Sequence, residues 1–108
     1  MNFKTLALGL AVASVATFSI AKPVTYTIDP THTAAVFSWD HFGFSTPSGN
    51  FSDIQGKIVV DNKQPAKSAV HVTIPVSSIN TNVTALDDHL KKADFFDAAK
   101  YPNISFKS

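Results

Sequence analysis

The sequence predicts an all-β protein with one short helical insert. Short runs in which apolar and polar residues alternate are separated by clusters of Pro, Gly, Asn and Ser, as is typical of half-buried strands joined by turns. A single amphipathic helical pattern interrupts these runs near residue 84. Five runs qualify as strands, four before the helical segment and one after it.

The first two runs are residues 24–28 and 34–44, separated by a break at Asp29-Pro30. Proline biases the residue before it toward extended or turn conformations, so a turn is expected there. In the second run, Phe37, Trp39 and His41 share one face, whereas Val36 and Phe42 share the other. Both faces are plausible as the inner one, and the alternation alone does not choose between them.

The third run, residues 51–61, follows a turn cluster at 45–50. Its apolar residues do not keep one parity along the run. Because an extra residue in one strand shifts the parity of all that follow, the pattern predicts a β-bulge near Gly56.

The fourth and fifth runs are residues 69–76 and 104–108. The fourth alternates regularly and is therefore predicted to be a half-buried strand. Its apolar face consists of Val70, Val72, Ile74 and Val76.

The helical insert is predicted to begin at Thr84, where Thr84 and Asp87 resemble a capping box with Asp in place of Glu or Gln. A second short turn, capped by Asp94, follows it. The side chains expected to pack against the strands are Leu86, Leu90, Phe95 and Phe96. The charges expected to be mainly solvated are Asp87, Asp88, Lys91 and Lys92.

The N-terminus has the order of a secretory signal peptide, with Lys4 before an apolar run that ends in Ser19-Ile20-Ala21. The alternative is an uncleaved membrane anchor, since the run is at the short end of the ~17–25 residues that span a bilayer. We expect cleavage after residue 21, which leaves residues 22–108 as one small domain. The chain has no Cys, so disulfides cannot stabilise that domain.

Charge and motif content exclude several classes of function. Without Lys4, eight Lys balance eight Asp, and the absence of any basic stripe argues against nucleic acid as a partner. The four His residues have no metal-ligand spacing, and no G-x-S-x-G elbow is present. We therefore expect no catalytic residues, no metal site and no cofactor.

The segment after the signal is rich in aromatic residues, which include Trp39 and seven of the nine Phe. Two interpretations remain open from composition. The aromatic side chains could fill an ordinary β-sandwich core, or they could line a β-barrel whose interior takes an apolar ligand and whose mouth the helix covers.

Specific motifs resemble the YceI-like family. They are Tyr26-Thr27-Ile28-Asp29, His32, Val36-Phe37, His41-Phe42-Gly43, Gly49-Asn50-Phe51, Gly56 with Asp61, the block Asp88-His89-Leu90-x-x-Ala93-Asp94-Phe95-Phe96-Asp97, Tyr101-Pro102 and Phe106-Lys107-Ser108. The resemblance runs from about Tyr26 to the last residue, and the helical block is its most specific part.

This resemblance implies a periplasmic, non-catalytic protein with a lipocalin-like antiparallel barrel of about eight strands. It further implies a polyisoprenoid or similar long-chain amphiphile as ligand, with the tail inside the barrel and the insert closing an apolar cavity. The expected apolar lining is Phe37, Trp39, Phe51, Leu86, Leu90, Phe95 and Phe96. His41 is the candidate for contact with a head group.

The family's domain is about twice as long as residues 22–108, so the sequence predicts roughly the N-terminal half of the barrel. An open half-barrel exposes strand edges and apolar surface, which favours pairing. The alternative function is therefore a non-binding fragment or a module that completes its sheet with another chain, and a homodimer is one form of such pairing.

Overall fold

The computed structural model describes residues 13–17 and 21–108. The predicted signal segment, residues 1–21, lies mostly outside the described residues, and its cleavage stays a prediction. Within the described part, the strands are β1 (Val24–Thr27), β2 (Ala35–Ser38), β3 (Ser48–Phe51), β4 (Gln55–Val60), β5 (Ala69–Pro75), β6 (Ile79–Asn80) and β7 (Asn103–Lys107). One α-helix, α1 (Thr84–Leu90), lies between β6 and β7, and short 3-10 turns occupy Pro30–His32, Pro65–Lys67 and Val76–Ser78.

Four of the described strands form one antiparallel sheet in the order β1-β4-β5-β7. The alternation predicted for the fourth run holds, because Val72 pairs with Phe106 and lies on the apolar face. On the opposite face, His71 pairs with Lys57 on one side and Lys107 on the other. The sheet thus has one apolar face and one polar face.

The other described strands form an antiparallel sheet in the order β2-β3-β6. Phe51 pairs with Ala35 in β2 and with Ile79 in β6, and Phe37 pairs with Gly49. A Cβ on Gly49 would lie 2.7 Å from the ring of Phe37. Gly49 therefore makes room for an aromatic ring on the inner face of this sheet.

The predicted second strand, residues 34–44, is too long. Strand β2 ends at Ser38, and the chain reverses between His41 and Ser45, which form an isolated antiparallel bridge. Phe42 and Gly43 both have positive φ, 53° and 74°, as tight hairpin turns require. Because the alternation of apolar and polar residues continues into this turn, the sequence pattern does not show where the strand ends.

The predicted third strand, residues 51–61, is two strands in different sheets. The chain leaves the smaller sheet after Phe51 and enters the larger one at Gln55. The change of parity arises at this crossing, and the register between β4 and β5 is continuous through Gly56. The prediction of a bulge at Gly56 is wrong. The turn predicted at 45–50 also contains the start of β3, and β6 was not predicted.

The most buried side chains lie where the chain passes between the two sheets. Phe51 is 8% exposed, and Ile54, Val76 and Ile79 are also buried. Backbone hydrogen bonds bridge the same region, since Ser52 donates to the Ser78 carbonyl at 3.2 Å. In the described part of the chain the two sheets do not close into a ring. An all-β fold with a helical insert is confirmed, and its open sheets are consistent with part of a β-barrel.

Helix α1 starts at the predicted residue but without the predicted cap. Val83 occupies the N-cap position and makes no side-chain cap. Asp87 instead accepts hydrogen bonds from the backbone N and the hydroxyl of Thr81, at 2.8 and 2.7 Å. The capping-box interpretation is therefore wrong, and Asp87 is half-buried rather than mainly solvated. Among the described residues, no helix has the length and apolar character needed to cross a membrane.

Candidate functional site

An apolar cavity of about 360 Å³ lies between the smaller sheet and the helical insert. Its wall is made of side chains from β2 and just beyond it, from α1, and from the turn after α1. The lining residues are Phe37, Trp39, Leu86, Leu90, Phe95 and Phe96. The structure thus brings together six of the seven side chains predicted to line a cavity. We call this cavity the apolar pocket.

The strand side of the apolar pocket follows from the alternation along β2. Phe37 and Trp39 point into the pocket and stack with ring centroids 5.9 Å apart at 29°. Val36, between Ala35 and Phe37, points the other way and is 73% exposed. Of the two faces that the sequence left open, the one that carries Phe37 and Trp39 borders the cavity.

Phe51, the seventh predicted lining residue, lies beside the apolar pocket and connects its two walls. Its ring centroid is 5.6 Å from that of Phe37, and it meets the ring of Phe96 edge to face at 5.7 Å and 88°. Aromatic pairs at such distances contribute about 0.5–1.5 kcal/mol beyond the area they bury. A continuous row of rings therefore runs from Trp39 on the strand to Phe96 on the insert.

The insert side of the apolar pocket is held by backbone hydrogen bonds around the end of α1. The N–H of Phe96 donates to the Leu90 carbonyl, and the N–H of Phe95 donates to the Lys92 carbonyl, each at 3.0 Å. Asp97 has a positive φ of 49°, which turns the chain back so that Tyr101 donates to the Asp97 carbonyl at 2.8 Å. This tight turn presents both Phe rings to the cavity. Phe95 also contacts the ring of His89.

Thr81 anchors the start of the insert and was missed by the sequence analysis. It is buried, and both its N–H and its hydroxyl donate to the Asp87 carboxylate. This pair ties the segment after β6 to the middle of α1, the helix that carries Leu86 and Leu90. The six-residue spacing from Thr81 to Asp87 gave no signal, because it fits no standard capping pattern.

His41, the predicted head-group contact, lies in the hairpin turn after β2. Its ring is exposed and meets the ring of Phe42 edge to face at 5.0 Å and 69°. It lies outside the lining of the apolar pocket, so its contact with a head group stays a prediction.

The apolar pocket can interact with a ligand mainly through its hydrocarbon and aromatic walls. None of the six lining side chains carries a charge, and Trp39 supplies the one polar hydrogen among them. Such a surface favours an apolar guest through burial of its surface, with little orientation by hydrogen bonds. A larger, open groove of about 520 Å³ lies on the polar face of the larger sheet, where Lys57 and His71 face water.

A carboxylate–imidazole pair lies away from the apolar pocket, on the turn after β1. The Nδ1 atom of His32 lies 2.7 Å from Asp29, and the Thr31 hydroxyl lies 2.9 Å from the same Nδ1. A hydroxyl nucleophile needs the imidazole nitrogen opposite the one that the carboxylate holds, so these residues do not form a relay. Within residues 13–17 and 21–108, no three His, Asp or Glu side chains are close enough to hold a metal ion.

Comparison with known proteins agrees with the resemblance of the sequence motifs to a known family. The family model described as YceI-like domain matches residues 26–108. The chain is similar to protein YceI of Escherichia coli O6:H1, with 42% identity over 94% of this chain and 54% of that protein. It is also similar to protein YceI of Shigella flexneri, with 40% identity over the same fractions. A UPF0312 protein of Photorhabdus laumondii subsp. laumondii is 39% identical over 97% of this chain and 56% of its own length.

The match covers most of this chain but only part of each relative. The chain spans about half the length of the curated relatives it matches. The matched residues include both walls of the apolar pocket, from Phe37 on the strand to Phe96 on the insert. The chain belongs to the YceI-like family, as the resemblance predicted.

Proposed function

We propose that this chain belongs to a periplasmic carrier that binds the tail of a polyisoprenoid or similar long-chain amphiphile without chemistry. The observation that carries the proposal is the apolar pocket, whose six lining side chains include no charged group and whose volume is about 360 Å³. Such walls suit an apolar guest, and the tail of an isoprenoid or other long-chain amphiphile is the class of ligand that we propose.

The row of aromatic rings supports the same proposal. Ligands with repeated apolar units gain from an extended contact surface, and the rings from Trp39 to Phe96 provide one across the inner face of the smaller sheet. The turn after α1 covers one side of this surface while leaving Phe95 53% exposed. Filling the pocket with a tail would bury part of that exposed ring, which favours binding.

The test uses Trp39, which is the single Trp of the chain and lines the pocket. Titration with a long-chain prenyl alcohol should change its fluorescence and saturate, and native mass spectrometry of the purified protein should show a co-purified lipid. Leu86→Asn places an amide on the pocket wall and should weaken binding at least about tenfold. Ala85→Asn, on the exposed side of the same helix turn, should not. Equal binding by both variants would place the ligand elsewhere.

A second candidate is association through open sheet edges. In the described part of the chain β1 and β7 are the outer strands of the larger sheet, and Val24, Tyr26 and Phe106 on its apolar face are largely exposed. Exposed edges beside apolar surface favour pairing with another chain. Sedimentation should then show a concentration-dependent dimer that Tyr26→Lys disrupts. A monomer at all concentrations would exclude this candidate.

A further inference from the structure

The hairpin turn after β2 presents two aromatic side chains to solvent. Phe42 is 84% exposed and Phe44 is 90% exposed, the two highest values among the exposed large apolar residues of the described chain. We call residues 41–45 the aromatic tip. Single exposed apolar residues are common on protein surfaces, but a Phe-Gly-Phe projection at the end of a hairpin is a concentrated apolar feature.

The aromatic tip is held rigidly in this exposed form. His41 donates to the Ser45 carbonyl at 2.9 Å, and Phe44 donates to the His41 carbonyl at 3.0 Å. The carboxylate of Asp40 accepts from the Gly43 N–H at 3.1–3.2 Å. These bonds hold the backbone of the turn in the conformation that exposes both Phe rings.

The tip also carries backbone strain at Phe42. Its φ of 53° lies in the left-handed region, which a bulky side chain rarely occupies. Asn would adopt this conformation at lower cost, and strain of this kind tends to occur at functional positions. The strained residue carries an apolar ring that is 84% exposed. Exposing an apolar ring to water is unfavourable, so its position in the free protein needs another explanation.

The scarcity of charged residues around the aromatic tip favours an apolar partner. No Lys or Asp occurs between Asp40 and Asp53, and the one polar charge beside the tip, Asp40, is engaged by the backbone. A segment without Lys or Asp enters a hydrocarbon region at a lower cost than one that carries them. Both rings project into solvent, at 84% and 90% exposure, and contact with another protein surface would need a matching concave site. A fluid apolar layer requires no such match.

The position of the tip connects it to the apolar pocket. Trp39, which lines the pocket, lies two residues before His41, so the tip begins at most about 7 Å further along the chain. Insertion of the tip would therefore bring the pocket near the surface of the layer that it enters.

From these observations we propose that the aromatic tip inserts into a phospholipid bilayer and holds the apolar pocket at the membrane surface, where long-chain lipids enter and leave it. The inference rests on the proposed function for its purpose. Insertion of the hairpin into a membrane can nevertheless be tested independently of whether the pocket binds a tail.

The experiment measures sedimentation with vesicles of palmitoyl-oleoyl phosphatidylcholine. All variants share one N-terminus, verified by intact mass, so that any contribution from residues 1–21 is common to them. The test variant is the double substitution Phe42→Asn and Phe44→Ser. The matched control is Val36→Ser, which removes an exposed apolar side chain from the outer face of β2. The double variant should bind vesicles at least about tenfold more weakly, and the control should bind as the parent does.

Two further readouts separate the alternatives. Phe42→Asn alone should raise or preserve the melting temperature, because it relieves strain and removes no buried contact. A lower melting temperature, or loss of a dimer in sedimentation equilibrium, would mean that another part of the protein or a second copy covers the tip, and would overturn the proposal. Unchanged vesicle binding by the double variant would also overturn it. Leu86→Asn distinguishes the two functions, since it should weaken tail binding at least about tenfold and leave vesicle binding intact.

Discussion

At the scale of single residues, two glycines lie where a neighbouring strand or an aromatic ring comes close to the backbone. A Cβ on Gly56 would overlap the His71 carbonyl and lie 2.9 Å from the Val72 Cα, and its φ of 148° disfavours any side chain. A Cβ on Gly49 would lie 2.7 Å from the side-chain ring of Phe37 and 3.0 Å from the Asn80 carbonyl oxygen. Around Gly43 nothing lies within 4 Å, so only its positive φ opposes substitution.

These differences predict a ranking of three alanine variants in urea denaturation. Gly56→Ala should be the most destabilising, because the colliding atoms belong to the neighbouring strand's backbone. Gly49→Ala should cost about 1–3 kcal/mol, as overpacking does, and should also disturb Trp39 fluorescence through Phe37. Gly43→Ala should cost about 1–2 kcal/mol from its left-handed conformation alone. Equal stability of the Gly56 and Gly43 variants would contradict the close approach of β4 and β5.

Asp87 is predicted to be a structural residue, although the sequence alone favoured a solvated charge. Its carboxylate accepts two hydrogen bonds from buried Thr81. Asp87→Ala leaves the Thr81 N–H without a partner and leaves the Thr81 hydroxyl only the longer bond to the Val83 carbonyl, at 3.3 Å. It should cost about 1–3 kcal/mol of unfolding free energy. Asp88→Ala, at the exposed neighbouring position, should change it by less than about 0.5 kcal/mol. Chemical denaturation of the two variants makes the comparison.

Asp29 gives the turn after β1 a dependence on pH. Hydrogen bonds from the Thr31 hydroxyl, then from His32 and the Thr31 N–H, hold the pKa of Asp29 below its ordinary value of 3.8. A lowered pKa in the folded state means that the ionised form stabilises the fold. That stabilisation is complete above the ordinary pKa and is lost as pH falls through the lowered one.

We therefore expect Asp29→Asn to reduce the loss of stability between about pH 5 and pH 2, with urea denaturation as the measurement. The effect should be small because the carboxylate is exposed to solvent and screened. Asp53→Asn serves as a comparison at a carboxylate outside this turn. An identical pH profile for parent and Asp29→Asn would refute the assignment.

At the scale of elements, the sequence predicted what local periodicity encodes. The regular alternation of β5 gave its faces correctly, and the helical pattern gave the start of α1 at Thr84. The crossing of residues 52–54 between sheets could not be predicted, because parity changes in the same way at a bulge and at a sheet crossing. Strand β6 has two residues, too few for any periodicity. The contact of Phe37 with the insert depends on residues about fifty positions apart.

The elements that border the pocket should differ sharply in their contribution to stability. The sequence suggested that Phe95 is buried and that Phe95→Ala costs about 3–5 kcal/mol. Phe95 is 53% exposed, whereas Phe51, at the junction of the sheets, is 8% exposed. We expect the large cost, about 3–5 kcal/mol, for Phe51→Ala and a clearly smaller one for Phe95→Ala. Equal losses in denaturation would mean that the turn after α1 is covered in solution.

At the scale of the whole molecule, the described chain combines a small buried core with a large exposed apolar face. Phe51, Ile54, Val76 and Ile79 are buried where the two sheets meet, and the apolar face of the larger sheet is exposed at its outer strands. Stability therefore depends strongly on the junction, and occupancy of the apolar pocket should add to it. Ligand at a hundred times its Kd would contribute about 2.7 kcal/mol.

The N-terminal segment of the whole chain is predicted to direct its export. Lys4, the apolar run to residue 21 and the small residues Ser19 and Ala21 predict export with cleavage after Ala21. Intact mass of the periplasmic fraction should give a chain that begins at Lys22. Because a signal peptidase accepts only small residues at the cleavage site, Ala21→Leu should leave the segment attached. Val24→Leu, beyond the site, should be cleaved normally. A parent chain that retains Met1 would support the membrane-anchor alternative, in which residues 5–21 hold the pocket at the bilayer in place of the aromatic tip.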